Sequence, residues 1–349
     1  MKTSILFCLS FVFAIASHAQ KNVSVQVIAN NPNTSLRGMS VPSDQVIWVS
    51  GNNGTVGKSI DGGATWRWHT IKGYETRDFR DIEAFDSTTA IIMAVDNPAY
   101  ILKTTDGGFT WKKVFEKNQN GMFLDAMDFK NEKEGICIGD PLQIGSSGRG
   151  FFYIIRTFDG GETWQETPLN QLPPAQTGEA IFSASGTNIS FLDHPDFEYA
   201  FVTGGTISNI FMMGRPGKPN KAVTMPIVQG KESNGAFSFD TDRNNRFYVI
   251  GGDYKVPRDY FDIFFFTTDA GKKWGSPSIG SPFGYRSCIR IINDKMMVAC
   301  GVTGVDFATN AHKEWQKASL ESFNVAMVSK TGKAVFLAGD KGKIGKLIY

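Results

Sequence analysis

The sequence predicts an all-β chain folded as a seven-bladed β-propeller, its ring closed by an N-terminal strand in the last blade. Three observations point there. A template ending in Trp recurs at 59–66, 104–111, 157–164 and 267–274, and in degenerate form at 308–315. A short apolar run ending in Gly or Asp occurs seven times, at 47–51, 91–96, 135–140, 199–205, 247–253, 296–301 and 334–340. The repeat length of roughly 45 residues, with turn signals and no helical periodicity, fits four-stranded blades set around an axis.

Each apolar run is preceded by a candidate innermost strand, at 36–40, 79–85, 123–129, 187–192, 235–240, 285–292 and 323–329. Pairing each innermost strand with its run gives the first two strands of seven blades. The templates then mark the outer turns of blades one, two, three, five and six. Blade four lacks a template and carries the Gly- and Pro-punctuated stretch 213–220 in its place. Blade seven has only three strands before the chain stops at Tyr349. The alternating Val23, Val25 and Val27 of segment 22–28 are expected to supply its fourth by pairing with 343–349, which removes two open sheet edges at once.

The template reads [Ser/Thr]-x-Asp-Gly-Gly-x-Thr-Trp in its first three copies, and each part has a structural task in a tight turn. Asp61, Asp106, Asp159 and Asp269 can accept hydrogen bonds from nearby backbone N–H groups. Gly63, Gly108, Gly161 and Gly271 tolerate a positive φ. Trp66, Trp111, Trp164 and Trp274 each carry a large apolar ring into a neighbouring layer. These acids are therefore read as turn staples and not as catalysts.

The pattern resembles the Asp-box, or BNR repeat, of sialidases, sortilin-type receptors and the photosystem II stability/assembly factor-like proteins, and it spans most of the chain. The resemblance implies a β-propeller. Its nearer limb, the assembly factor-like group, implies an exported seven-bladed ring that binds protein. Nothing in the sequence identifies a photosynthetic host.

Lys2, an apolar run at 5–16 and Ser17-His18-Ala19 before Gln20 read as a secretory signal peptide over 1–19, leaving 20–349 as one propeller domain, periplasmic or secreted. No other stretch approaches the ~20 apolar residues of a membrane-spanning helix. Processing removes Lys2 and takes the formal charge from +2 to +1, and basic residues are dispersed, so nucleic acid is not an expected partner. Three cysteines remain, Cys137, Cys288 and Cys300, in apolar strand-like settings that favour buried thiols; a Cys288–Cys300 bridge stays open because the two fall on adjacent strands. His69, His194 and His312 show no ligand spacing, so no metal is expected, and no fingerprint for a cofactor is present. A monomer is expected.

In a propeller the innermost strands begin on one face, and the loops joining second to third strands lie on that same face. The Asp-box turns lie opposite. Arg37, Arg80, Asp81, Asp125, Asp140, Glu179, Asp253, Tyr254, Tyr285 and Arg286 accordingly converge on one mouth of the central channel. Arg37, Arg80 and Arg286, with Tyr285, could form a cationic cup for a carboxylate or other anion. Asp140, Glu179 and Asp253 are the candidates for acid/base function, and Tyr254 or Tyr285 for a nucleophile, as in sialidases. The alternative is a ring of Arg–carboxylate pairs that merely satisfies buried charge. Segment 178–188, rich in small residues, is expected to approach the channel closely.

Two functions follow. The first is a protein-interaction propeller acting as an assembly or stability factor-like scaffold, with its ligand surface at the mouth opposite the Asp-box turns. The second is a secreted glycosidase or glycan-binding protein of sialidase type, using the arginines to hold an acidic sugar. Against the second, the sialidase Phe-Arg-Ile-Pro motif has only its arginine here, in Leu36-Arg37-Gly38-Met39, and sialidase domains have six blades.

Overall fold

A computed structural model describes residues 23–31, 33–143, 149–242, 245–277, 280–310, 313–331 and 333–349. The expected signal peptide, Asn22 and His312 lie outside them. Seven antiparallel sheets follow one another along the chain, and each contains one of the seven predicted inner segments as a strand, innermost in all but blade five. Blade one is typical: Leu36–Ser40, Ile47–Gly51, Thr55–Ser59 and Arg67–Thr70 pair in sequence order from the channel outwards.

The alternation of apolar residues explains why the blades stack. Both faces of a middle strand are covered, so Ala90–Ala94 in blade two and Val335–Ala338 in blade seven are buried at every position. The core is correspondingly split into inter-blade layers. Trp48, Val56, Ile82, Ile92 and Leu102 fill the space between blades one and two, and Phe152, Phe201 and Phe211 that between blades three and four. A larger cluster runs from blade six through blade seven to blade one, and so contains the seam.

At the seam, Ser24–Ala29 pairs antiparallel with Ile344–Ile348 as the outermost strand of blade seven, with Ser24 opposite Ile348 and Val27 opposite Gly345. Blade four closes its outer hairpin without a box: the Gly214 N–H donates to Asn220 Oδ1 at 2.9 Å, and Lys218 N–H to Arg215 O at 2.8 Å.

Blade five departs from the expected four strands. Among the described residues its third strand, Phe264–Thr267, meets the following chain only at a bridge between Phe266 and Gly275. Gly275 and Pro277 weaken a strand there, the second by lacking an N–H. On its channel side the same sheet instead gains two short strands, Gly204–Gly205 and Glu179–Ala180.

The ring is also fastened where the innermost strands meet. A group on one innermost strand accepts the backbone N–H of the next: Ser40 Oγ from Ala84 at 3.0 Å, Asp81 Oδ2 from Met127 at 2.6 Å, and Asp128 Oδ2 from Phe191 at 2.6 Å. Thr187 O receives Phe239 N–H at 3.0 Å, Asp240 Oδ2 receives Ile291 N–H at 2.7 Å, and Cys288 Sγ receives Ala326 N–H at 3.4 Å. Lys330 N–H donates to Val41 O at 3.0 Å and completes the circuit. Cys288 and Cys300 are directly opposed across blade six; with Cys137 they are buried thiols.

Candidate functional site

The Asp-box turns take the form their composition suggests. In blade one Ser59 Oγ donates to Asp61 Oδ1 at 2.8 Å and accepts from Gly63 N–H at 2.9 Å, while Thr65 donates to Asp61 through both N–H and Oγ1. Blades two and three repeat this around Asp106 and Asp159, and blade five keeps the Thr267 bonds, while Lys273 donates only its backbone N–H to Asp269. The bond from Thr65 and the others to its oxygens pull the Asp61 carboxyl down to about 2, and burial opposes them weakly. These bonds are local to the turn, as expected of a staple.

The opposite face carries the cavity. Its volume is about 490 Å³, and Arg37, Arg80, Asp140, Tyr254 and Tyr285 all line it. The floor is the segment 180–184, which crosses the mouth and touches most of the ring. Arg37 Nη1 donates to Ala184 O at 3.4 Å, Arg80 Nη1 to Ser183 O at 3.3 Å, and Ser183 Oγ to Asp125 O at 3.1 Å. Ser185 Oγ donates to Ser287 O at 2.7 Å on blade six. A Cβ at Gly186 would sit 2.4 Å from Asp81 Oδ1, and its φ of +67° suits glycine. The small residues of 178–188 thus let the backbone cap the channel.

One wall of the cavity is aromatic. Phe182 and Phe237 stack with centroids 3.9 Å apart, and Tyr254 and Tyr285 meet Phe237 edge-on at 6.2 and 4.7 Å. The opposite wall is cationic. Arg80 is paired with Asp78 at 2.7 Å, and both remain partly exposed. Arg37 is in no ion pair among the described residues, although its charge lies near enough to Asp340 to help lower that carboxyl. Burial pushes Asp140 up to about 6, against the pull of the Ile181 N–H that donates to it at 3.0 Å. Asp125, buried behind it, is raised further, first by burial and then by the charge of Asp140.

Three candidates do not join this cavity. Arg286 is fully buried and saturated. Its Nε donates to Asp306 Oδ2 at 2.7 Å, its Nη1 to Tyr285 O at 2.8 Å and Thr303 Oγ1 at 2.6 Å, and its Nη2 to Phe283 O at 3.1 Å. The three-arginine cup is therefore a pair, Arg37 and Arg80. Glu179 is buried as an anchor: Oε1 accepts from Thr203 Oγ1 at 2.6 Å and Asn209 Nδ2 at 2.8 Å, and Oε2 from Gln176 N–H at 2.9 Å. Asp253 accepts Lys255 N–H at 2.9 Å in a local turn. Tyr285 is buried and its hydroxyl is pushed up, Arg37 opposing, which is the wrong direction for a nucleophile.

Sequence reasoning missed Asp306. In the sequence it is one polar residue in a strand, Gly304–Thr309, and only its partner Arg286 gives it meaning.

The fold and the four box turns define a class, the seven-bladed Asp-box (BNR-repeat) β-propellers. The model of the family described as photosynthesis system II assembly factor YCF48 matches residues 14–119. This chain is thus an Asp-box propeller resembling the photosystem II assembly factor-like proteins. A comparison with curated proteins gives no match. Among solved structures, YCF48 bound to D1 peptide superposes with a TM-score of 0.63 at 17% identity, covering 95% of this chain and 96% of that one. YCF48 from Cyanidioschyzon merolae gives 0.66 at 14%, covering 93% and 98%. The Neurospora crassa Pan2 WD40 domain gives 0.59 at 13%, covering 89% and 88%, a likeness of fold.

Proposed function

We propose that this protein is an exported assembly or stability factor, a ring that holds a client polypeptide by an acidic group at the channel mouth opposite its Asp-box turns. The observation that carries this is the cavity in which Arg37, free of any ion pair among the described residues, faces an aromatic wall and is accompanied by Arg80. A guanidinium presents forked donors that suit a carboxylate, and a backbone cap beneath it fixes where the acid can sit. The likeness to a propeller solved with a bound peptide supports a protein client over a small metabolite. Export rests on the apolar run and the Ser17-His18-Ala19 cleavage signal.

Binding is tested by fluorescence anisotropy with a labelled acid-terminated peptide. Wild-type protein is expected to bind in a salt-sensitive manner, and Arg37→Ala with Arg80→Ala is expected to weaken binding at least about tenfold, the loss of one charge-assisted contact or more. Equal affinity in the double variant overturns the reading. Mass measurement of the mature protein is expected to place its N-terminus at Gln20. The alternative, a glycosidase or glycan binder, draws on Asp140, whose carboxyl at about 6 suits an acid/base group. Hydrolysis of a sialylated or uronic-acid glycoside, lost in Asp140→Asn, would establish it.

A further inference from the structure

We infer that an apolar ledge beside the cavity, made by Tyr254, Tyr260, Phe261, Phe283, Val302 and Leu320, receives hydrophobic side chains next to the client's acidic group, so that the ring selects an extended segment that is apolar and then acidic. The inference rests on the cavity being the acid's site.

Isolated exposed apolar residues need no explanation, but a cluster does. Among the described residues thirteen large apolar side chains are exposed, and the six of the ledge together with Val256 account for seven of them, all from blades five and six. Phe261 is 68% exposed and Leu320 82%. Their contiguity follows from the backbone. Tyr285 N–H donates to Pro257 O at 3.0 Å, which binds the loop carrying Tyr254, Tyr260 and Phe261 to the entry of blade six. A Cβ on Gly284 would stand 2.3 Å from Pro257 O and 3.2 Å from Thr303 Oγ1, so this loop, Phe283 and the Val302 turn meet at one point. Gly304, next in that turn, lies against Leu320.

The ledge and the cavity are one surface. Tyr254 and Val302 belong to both, and Tyr254 touches the stacked Phe182 and Phe237. The buried Arg286 finds its purpose here. By holding Tyr285 O, Thr303 Oγ1, Phe283 O and Asp306 at once, it fixes the ledge in shape before any partner arrives. Tyr and Phe on a pre-set surface with arginine beside them are the composition of protein-interface hot spots.

Charge argues for a polypeptide over a lipid surface. In the loop, Lys255 and Arg258 are offset by Asp259 and Asp262, and Lys343 is paired with Glu321, so the ledge has none of the excess basic charge that draws a protein to anionic lipid. Arg37, on the cavity side, is where the complementary acid is required.

Two labelled peptides with the same acidic end test this, one preceded by Leu and Phe and the other by Ser and Gly. The wild-type protein is expected to bind the apolar peptide at least tenfold more tightly. The variant Tyr260→Ser, Phe261→Ser, Leu320→Ser is expected to lose that preference and keep its affinity for the polar peptide, with an unchanged melting transition because all three residues are exposed. Equal binding of the two peptides by wild type overturns the ledge and leaves the cavity reading standing. If neither peptide binds, both readings fall. Sedimentation with phosphatidylglycerol vesicles that is lost in the triple variant would overturn a polypeptide occupant in favour of a membrane.

Discussion

Replacing Arg286 by Met keeps an unbranched apolar stem but removes the guanidinium, with its charge and its donors. Asp306 is then left fully buried without its guanidinium, Tyr285 O loses its guanidinium donor, and Phe283 O keeps only Thr303 Oγ1. Breaking a buried pair by removing one partner costs about 3–5 kcal/mol. Lys317 Nζ stands 3.5 Å from Asp306 Oδ1 and is partly exposed, so it compensates some of the charge and places the loss near the lower end, about 3 kcal/mol. For a domain of this size that corresponds to a fall of roughly 6 °C in Tm at about 2 °C per kcal/mol. Differential scanning calorimetry of Arg286→Met, Asp306→Leu and the double variant supplies the assay. The double variant is expected to be more stable than Arg286→Met, because the uncompensated buried charge is gone, yet to have lost the preference for apolar-then-acidic peptides. If the double variant is as unstable as the sum of the two single ones, the cost does not arise from an unpaired charge, and the reasoning about this node is refuted.

Ala270 occupies a positive φ of 54° where three other boxes have glycine, so Ala270→Gly is expected to stabilise the protein by about 1 kcal/mol, read as a rise in Tm; a fall refutes the strain. Glu83 is held at about 7, above the ordinary 4.5, chiefly by burial, with Asp128 adding to it and Lys330 and Arg290 opposing. The folded protein therefore binds more protons than the unfolded chain between those values, and this group's contribution falls as pH rises through that window and levels above it. Urea melts of Glu83→Gln across the window are expected to lack that part of the slope; an identical profile in the variant would sink the assignment. Deletion of residues 20–30 removes the seam strand and the packing of Val25 and Ile28 on the blade-seven core, and is expected to abolish cooperative melting, whereas an unchanged transition overturns the closure.

The ring was legible because its punctuation is local. Gly-Asp turns, Trp-ended boxes and alternating apolar runs each specify a strand or a turn within a few residues, and seven copies reinforce one another. Blade five shows the limit: its loosened box still ends at Trp274, yet among the described residues the next segment makes only a bridge at Gly275, near Pro277, which lacks an N–H. The site was legible by face and not by side chain. Arg37 and Arg286 each follow a strand-start signal, and only the long-range pairing with Asp306 turns one inward while the other stays at the cavity. Asp81, Asp128 and Asp240 likewise look like surface acids in an alternating strand, but each accepts an N–H from the neighbouring blade. Such bonds join residues about 50 positions apart and leave no periodic trace.

The seam sets an order of events. During synthesis Ser24–Ala29 is the first strand of the ring to emerge, yet its partner Ile344–Ile348 is the last of the ring's strands to be made. That strand must wait as an unpaired edge while six blades form, and Ser24 and Gln26, exposed in the finished ring, keep one side of it polar in the meantime. Closure is therefore a single late step that depends on the first and last strands of the ring. A chain lacking either seam strand would contain nearly every blade and still be an open, sticky arc.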